Sequence, residues 1–149
     1  LFRSPGTGDI QLTLAQNVPV TGALVVTTPQ DIALLDAMKG IVMFEKVNVP
    51  VLGVVENMSL HVCSQCGFHE PIFGTGGAQK LVEDYQTQLL AQLPLHIDLR
   101  EDLDEGQPTV IRRPDSEFTA LYRQLAGRVA AQLYWQGEVI PGDIAFRAL

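Results

Sequence analysis

A chain of 149 residues is long enough for one ordinary domain with a real core. With 46% hydrophobic and 18% charged residues it has the composition of a soluble globular protein, and no apolar run approaches the ~18 residues of a membrane span. The 17 acidic and 10 basic residues leave a net charge of −7, and the basic ones are scattered, which argues against nucleic acid as a partner. The two cysteines make no disulfide framework, and the start "LFRSPGTGD" has no basic segment followed by an apolar one. We expect a reducing, cytoplasmic setting and no membrane contact, so that Cys-x-x-Cys reads as metal-binding or redox-active.

In chain order, "SPGTGD" (4–9) is a glycine-rich turn leading into a helical "IQLTLAQN", and such a loop can serve as a plain turn or present amides to a phosphate. "GALVVTTP" (22–29) is a β-branched strand ending in turn residues. In "QDIALLDAMKGIVMFEKVN", Leu34, Leu35, Met38, Ile41 and Val42 fall at helical spacing, with Thr28 or Asp31 as the expected cap. "VPVLGVVENM" is continuously apolar, as strands covered on both faces are. Strand, helix and strand in so short a length predict a βαβ unit, hence an α/β fold with a parallel sheet and a right-handed crossover.

Beyond the cysteines, "TGGAQKLVEDYQTQ" (75–88) predicts a helix, and "LLAQLPLH" (89–96) a strand closed by Pro94. Residues 97–117 read as a loop with one turn of helix. Phe118, Leu121, Tyr122, Leu125, Val129 and Leu133 then form one apolar stripe of a last helix, capped by Asp115 or Ser116. The chain reads as a single unit over 1–149 with a tail over 135–149. Ligands of such sheets sit outside the carboxyl ends of the strands, which places "TTPQD", "ENMSLHVC" and "LPLH" on one edge.

"GTGGAQKL" (74–81) resembles a P-loop but lacks its Gly-Lys-Ser/Thr ending: Gln79 precedes Lys80, and Leu81 stands where the hydroxyl should be. Asn57 serves equally as a turn residue or as a reader of a base edge. Cys63 and Cys66 with His61 and His69 give H-x-C-x2-C-x2-H, and four uses stay open. These are a four-ligand zinc site, a redox pair, half of a four-thiolate site shared by two chains, and two ordinary loop cysteines.

"PGTGD", "VVTTPQDIALLDAMKGIVMFEKVNVPVLGVVENMS", the Cys-x-x-Cys, "IFGTGGAQKL" and "LPLHIDLREDLDEGQP" occur in this order in the Mrp/ApbC-type P-loop ATPases, the carriers of iron-sulfur clusters. From about Pro5 to the last helix, the chain resembles the C-terminal part of that family, which is itself similar to the MinD and ParA ATPases. The resemblance implies the C-terminal portion of a three-layer, parallel-sheet P-loop NTPase fold, without the N-terminal strand and P-loop. It implies a homodimer in which Cys63 and Cys66 join the same pair of a second subunit to hold a labile 4Fe-4S cluster for delivery to apo-proteins, with ATP and magnesium as cofactors. Asn57 and Pro94 would border the adenine. Gly6, with Thr7 and Asp9 beside it, would lie near the γ-phosphate, and Gln30 and Asp31 near the nucleotide and dimer face.

Two departures stand out. The family's P-loop has no counterpart here, and Phe2 and Ser4 replace the Asp and first Pro of its switch loop. ATP hydrolysis is therefore an expectation for the intact family and not for these residues alone. Two rival readings are a zinc-bridged, non-enzymatic dimerisation module and a MinD-like ATPase that positions partners at a membrane. The tail "GEVIPGDIAFRAL" lacks the basic amphipathic helix that the last of these predicts.

Overall fold

A computed structural model describes residues 9–136, with side chains over 13–134. Helix α1 spans Asp9–Asn17, β1 Ala23–Thr27, α2 Asp31–Lys46, β2 Val51–Val62, β3 His69–Glu70 and α3 Gly77–Asp84. They are followed by β4 (Leu89–Leu95), α4 (Ile97–Asp104), α5 (Thr109–Arg112) and α6 (Glu117–Gln136). Gly6, Thr7 and most of the expected tail lie outside the described residues, and Asp9 enters only as the first residue of α1.

The three expected strands form a parallel sheet, to which β3 adds a short antiparallel strand that the sequence did not predict. Strand β2 lies between β1 and β4 and is parallel to both, with Val25 opposite Val54 and Glu56 opposite Gln92. On one face, Ala37, Gly40 and Ile41 of α2 are buried at helical spacing, and Ala37 and Ile41 pack with Val25, Val54, Ala78, Leu81 and Val82. On the other face, Val55, Leu90 and Leu93 meet the stripe Leu121, Tyr122, Leu125 and Val129 of α6. The result is three layers, helix over sheet over helix. Full burial of a Val, Leu or Ile stabilises by roughly 1.5–3 kcal/mol, so these two clusters fix where the helices sit. Strand β1 pairs only with β2 among the described residues, and its Leu24 and Val26 remain exposed.

Several local expectations are corrected. The cap of α2 is Gln30, which makes no side-chain cap bond, while Thr28 Oγ1 donates to Gln30 Oε1 at 2.9 Å and Asp31 is already helical. The Ser116 cap of α6 is as expected: its Oγ accepts the Thr119 N–H at 3.2 Å. Pro94 does not close β4 but lies within it, one residue before the end. Helix α3 stops at Asp84, short of the expected Gln88.

Residues 97–117 fold into α4 and α5 where a loop with one helical turn was expected, because charges in this stretch find partners across it. Asp102 has no exposed surface, and its Oδ2 accepts the Thr109 hydroxyl at 2.7 Å and Arg113 Nε at 3.1 Å. Arg112 Nε lies 3.3 Å from Oδ1 of the same carboxylate. Arg113 also reaches Asp98 at 2.6 Å, and Thr119 Oγ1 donates to the Arg113 carbonyl at 2.7 Å, which ties the pair of short helices to α6.

Burial alone would raise the Asp102 pKa, but the Thr109 hydroxyl and the two guanidiniums outweigh it and hold the carboxyl below its usual range. A carboxylate lowered in this way adds stability that is fully present above its unfolded value of about 3.9, and that stability fades as pH falls through the folded value. Asp102→Asn is therefore expected to lower the urea midpoint at neutral pH and to flatten its fall on the acid side. Urea titrations of both proteins from neutral to strongly acidic pH test this, and parallel curves would refute it.

Candidate functional site

Strand β2 does not end at Met58 but continues to Val62 and turns back into β3, so the cysteines cap a hairpin at the carboxyl edge of the sheet. The turn is closed by two backbone bonds: Cys63 N–H to the Phe68 carbonyl at 3.0 Å, and Gly67 N–H to the Cys63 carbonyl at 2.8 Å. Gly67 has a φ of 69°, in the left-handed region where a side chain is strained, so glycine directly after Cys66 is a requirement of the turn. Cys63 is half-buried and Cys66 exposed, and both are free thiols.

The Gln65 backbone N–H, then the Cys66 N–H and the Cys66 thiol, favour the charged form of Cys63 and hold its pKa below the ordinary thiol value against a weaker opposing effect of burial. Backbone donors aimed at a sulfur are also what a metal-bound thiolate uses to disperse its charge.

The pairs His61 with Glu70 and Val62 with His69 settle where the histidines go. Successive residues of a strand point to opposite faces, so His61, Cys63 and Glu70 share one face, and Val62 and His69 lie on the other. The arrangement H-x-C-x2-C-x2-H therefore does not converge on one point. Among the described residues no group of three His, Cys, Asp or Glu could hold a metal ion. The described residues of one chain supply two thiols and no complete tetrahedral set.

Val62 and His69 instead help to line a cavity of about 310 Å³ at this edge, together with Glu56, Ser59, Gln92 and Pro94. A larger depression of about 610 Å³ opens at the opposite edge, between 48–52 and 85–88, where sheets of this kind do not bind their ligands. Asn57 is not among the lining residues of the smaller cavity. Its Oδ1 accepts the Met58 N–H at 3.0 Å, and Met58 has a φ of 57°, which is the local turn use of the side chain. Gln30 and Asp31 are exposed at the carboxyl end of β1, on the same edge.

Glu56 escaped the sequence reading. Only 2% exposed, its carboxylate accepts the Ala78 N–H at 3.2 Å and Gln92 Nε2 at 2.8 Å. The signal was available: an acid inside a continuously apolar strand must find partners. Its placement explains the glycine-rich stretch before α3. An internal carboxylate occupies the helix N-terminus, where a phosphate would otherwise bind. A Cβ on Gly77 would lie 2.4 Å from Leu34 Cδ1, so that glycine lets α3 pack close to α2.

Residues 3–130 match the family described as ParA: NUBPL iron-transfer P-loop NTPase. The chain belongs to this family. It is 82% identical, over 145 residues, to an iron-sulfur cluster carrier protein of Salmonella typhimurium, a match that covers 97% of this chain and 39% of that one. The chain thus spans about two fifths of the length of that relative.

Among solved structures it is similar to a nucleotide-binding protein of Archaeoglobus fulgidus in complex with ADP, with a TM-score of 0.63 and 34% identity over 77% of this chain and 46% of that one. It is also similar to the cell division ATPase MinD of Pyrococcus furiosus, with a TM-score of 0.57 and 26% identity over 74% and 43%. The expected P-loop NTPase-like α/β fold and the family resemblance both hold. Among the described residues no helix is long and apolar enough to cross a membrane.

Proposed function

We propose that these residues belong to an ATP-dependent, cytoplasmic carrier that assembles a 4Fe-4S cluster between two copies of the chain and transfers it to apo-proteins. The observation that carries the reading is the hairpin tip, which presents two free thiols at the carboxyl edge of a P-loop NTPase-like sheet, one of them with backbone N–H groups directed at its sulfur. Cys63 and Cys66 would be the cluster ligands, and the second pair would come from the partner copy. Thiolates need fewer protons displaced when the thiol pKa is already low, which favours capture at neutral pH. Exposure of Cys66 favours release.

Nucleotide is the second ligand of this reading. Asn57 Nδ2 and Pro94 would border the base, and Gly6 would belong to the switch loop near the γ-phosphate, with Thr7 and Asp9 beside it. The triphosphate and magnesium would be held by a P-loop, which these residues do not include, so hydrolysis belongs to a chain of the relatives' length. ATP state would then bias the dimer geometry around the four thiolates and so alter how tightly the cargo is held.

Transfer is tested by loading the full natural chain anaerobically with iron and sulfide, then mixing it with an apo-enzyme that needs a 4Fe-4S cluster, in the presence of an iron chelator. The reading predicts recovery of acceptor activity despite the chelator. No recovery, with recovery when free iron and sulfide are supplied without chelator, would contradict a carrier.

A further inference from the structure

The two sulfurs of the hairpin tip lie within hydrogen-bond reach of each other. The Cys66 thiol donates to the Cys63 sulfur, and both cysteines are free. The backbone explains the contact. Gly67 N–H donates to the Cys63 carbonyl at 2.8 Å, which closes a single helix-like turn over 63–67. Residues three apart in such a turn are close neighbours, with Cα atoms within about 7 Å, which is the reach of a disulfide. Cys66 is exposed and Cys63 half-buried, so a small reagent has access to the pair. This bond and the one from Cys63 N–H to the Phe68 carbonyl at 3.0 Å are made by backbone alone. Joining the sulfurs therefore uses none of the groups that shape the turn.

We infer that Cys63 and Cys66 form a thiol–disulfide exchange site for small organic disulfides, and that closing them into a Cys63–Cys66 disulfide shuts the chain to its iron-sulfur cargo. The inference rests on the carrier reading for what is regulated, and goes beyond it by assigning a second, metal-free chemistry to the same pair. One cysteine sulfur attacks a sulfur of the small disulfide, whose S–S bond breaks and releases one thiolate. The second cysteine then attacks the protein sulfur of the mixed disulfide, which forms the Cys63–Cys66 bond and expels the other thiolate. The two cysteine protons pass through solvent to the two departing thiolates. The cysteines give up two electrons, and the small disulfide is reduced to two thiols.

The geometry favours a reversible bond over a structural staple. In the chain-entropy account a disulfide stabilises by closing a loop of the unfolded chain, and Cys63 and Cys66 enclose only Ser64 and Gln65. So short a loop gives up little entropy, and the bond adds little to the hold on the fold. Exposed disulfides are the ones that thiols reopen readily, and Cys66 stands in solvent. Closure matters to the cargo because the thiolate is the metal ligand, and a sulfur held in a disulfide is no longer one. Both ligands of one chain are lost in a single event, and a dithiol returns them.

The test uses the full natural chain, freed of metal and held without oxygen, in buffers of oxidised or reduced glutathione. After acid quenching and treatment with N-ethylmaleimide, mass spectrometry reads the peptide that contains Cys63 and Cys66. With oxidised glutathione this peptide is expected to resist alkylation at both cysteines and to be lighter than the dithiol by two hydrogens. Dithiothreitol should make both alkylatable again. Cys63→Ser and Cys66→Ser should each stop at the mixed disulfide and carry one glutathione, since neither has a second sulfur to expel it. The closed wild-type chain should lose iron and sulfide uptake and regain it after dithiothreitol. A wild-type peptide that stays fully alkylatable, or that accumulates glutathione adducts without closing, would overturn the exchange site. Uptake by the closed chain equal to that of the reduced chain would overturn the gating while the carrier reading stands. A reduced chain that takes up no iron and sulfide would overturn the carrier reading and the gating with it, and the peptide masses would still decide the exchange site.

Discussion

Replacing either Cys63 or Cys66 by alanine in the full natural chain is expected to abolish stable iron and sulfide uptake, and not merely to halve it. The hairpin places both sulfurs at one tip, and no third His, Cys, Asp or Glu among the described residues converges with them. Two copies of a Cys63→Ala chain would together offer two thiolates, too few for the four that such a cluster takes from protein. Alkylation of Cys63 by iodoacetamide should set in at a lower pH than that of an ordinary thiol, because its pKa is lowered chiefly by the Gln65 N–H. Uptake at wild-type level in Cys63→Ala or Cys66→Ala would remove the cysteine pair from the site. The experiment is read by iron and sulfide analysis after desalting, with the melting curve as a control for folding.

The second large effect is on stability. Leu90→Ala should destabilise the domain by about 2–5 kcal/mol, the range for deleting a buried leucine whose surroundings relax only partly. Leu90 is 2% exposed in the cluster that seats α6 on the sheet, and its carbonyl accepts Arg128 Nη1 at 2.5 Å, so the cavity would open where the last helix is held. Leu103→Ala, at a residue 61% exposed on α4, should change stability by only about 0.5 kcal/mol or less. Urea titrations read both, with an unchanged slope expected if the unfolded state is unaffected. Equal losses in the two variants would contradict the assignment of Leu90 to the core.

The two longest helices were legible because each has a periodic apolar stripe that one face of the sheet consumes, and the strands because they are short apolar, β-branched runs. "LVVT" and "VLGVV" had to be strands, and the stripe from Phe118 to Val129 had to be a helix. Helices α4 and α5 were not legible, because their stability comes from Asp102 meeting Thr109, Arg112 and Arg113, and pairings among charges leave no period in a sequence. The same reason hid the role of Glu56, whose partners Ala78 and Gln92 lie 22 and 36 residues away.

At the candidate site, spacing alone offered His61 and His69 as ligands beside the cysteines. Only the register of β2 with β3 sends the two histidines to opposite faces. The hairpin itself was missed because "SLHV" carries two polar residues and Met58 takes a left-handed φ, so the apolar run ends before the strand does. Gly67, which sequence reading used only as an argument against a helix, is the residue that allows the turn.

The central claim is that each chain carries half of a metal site, and the most direct measurement is metal and sulfide analysis of the full natural chain purified without oxygen and sized in solution. The account predicts about four irons and four sulfides for every two chains, in a dimer whose cluster absorbance disappears when both cysteines are replaced. One zinc for every two chains with no sulfide would contradict it and favour a structural zinc bridge instead, as would a fully loaded monomer.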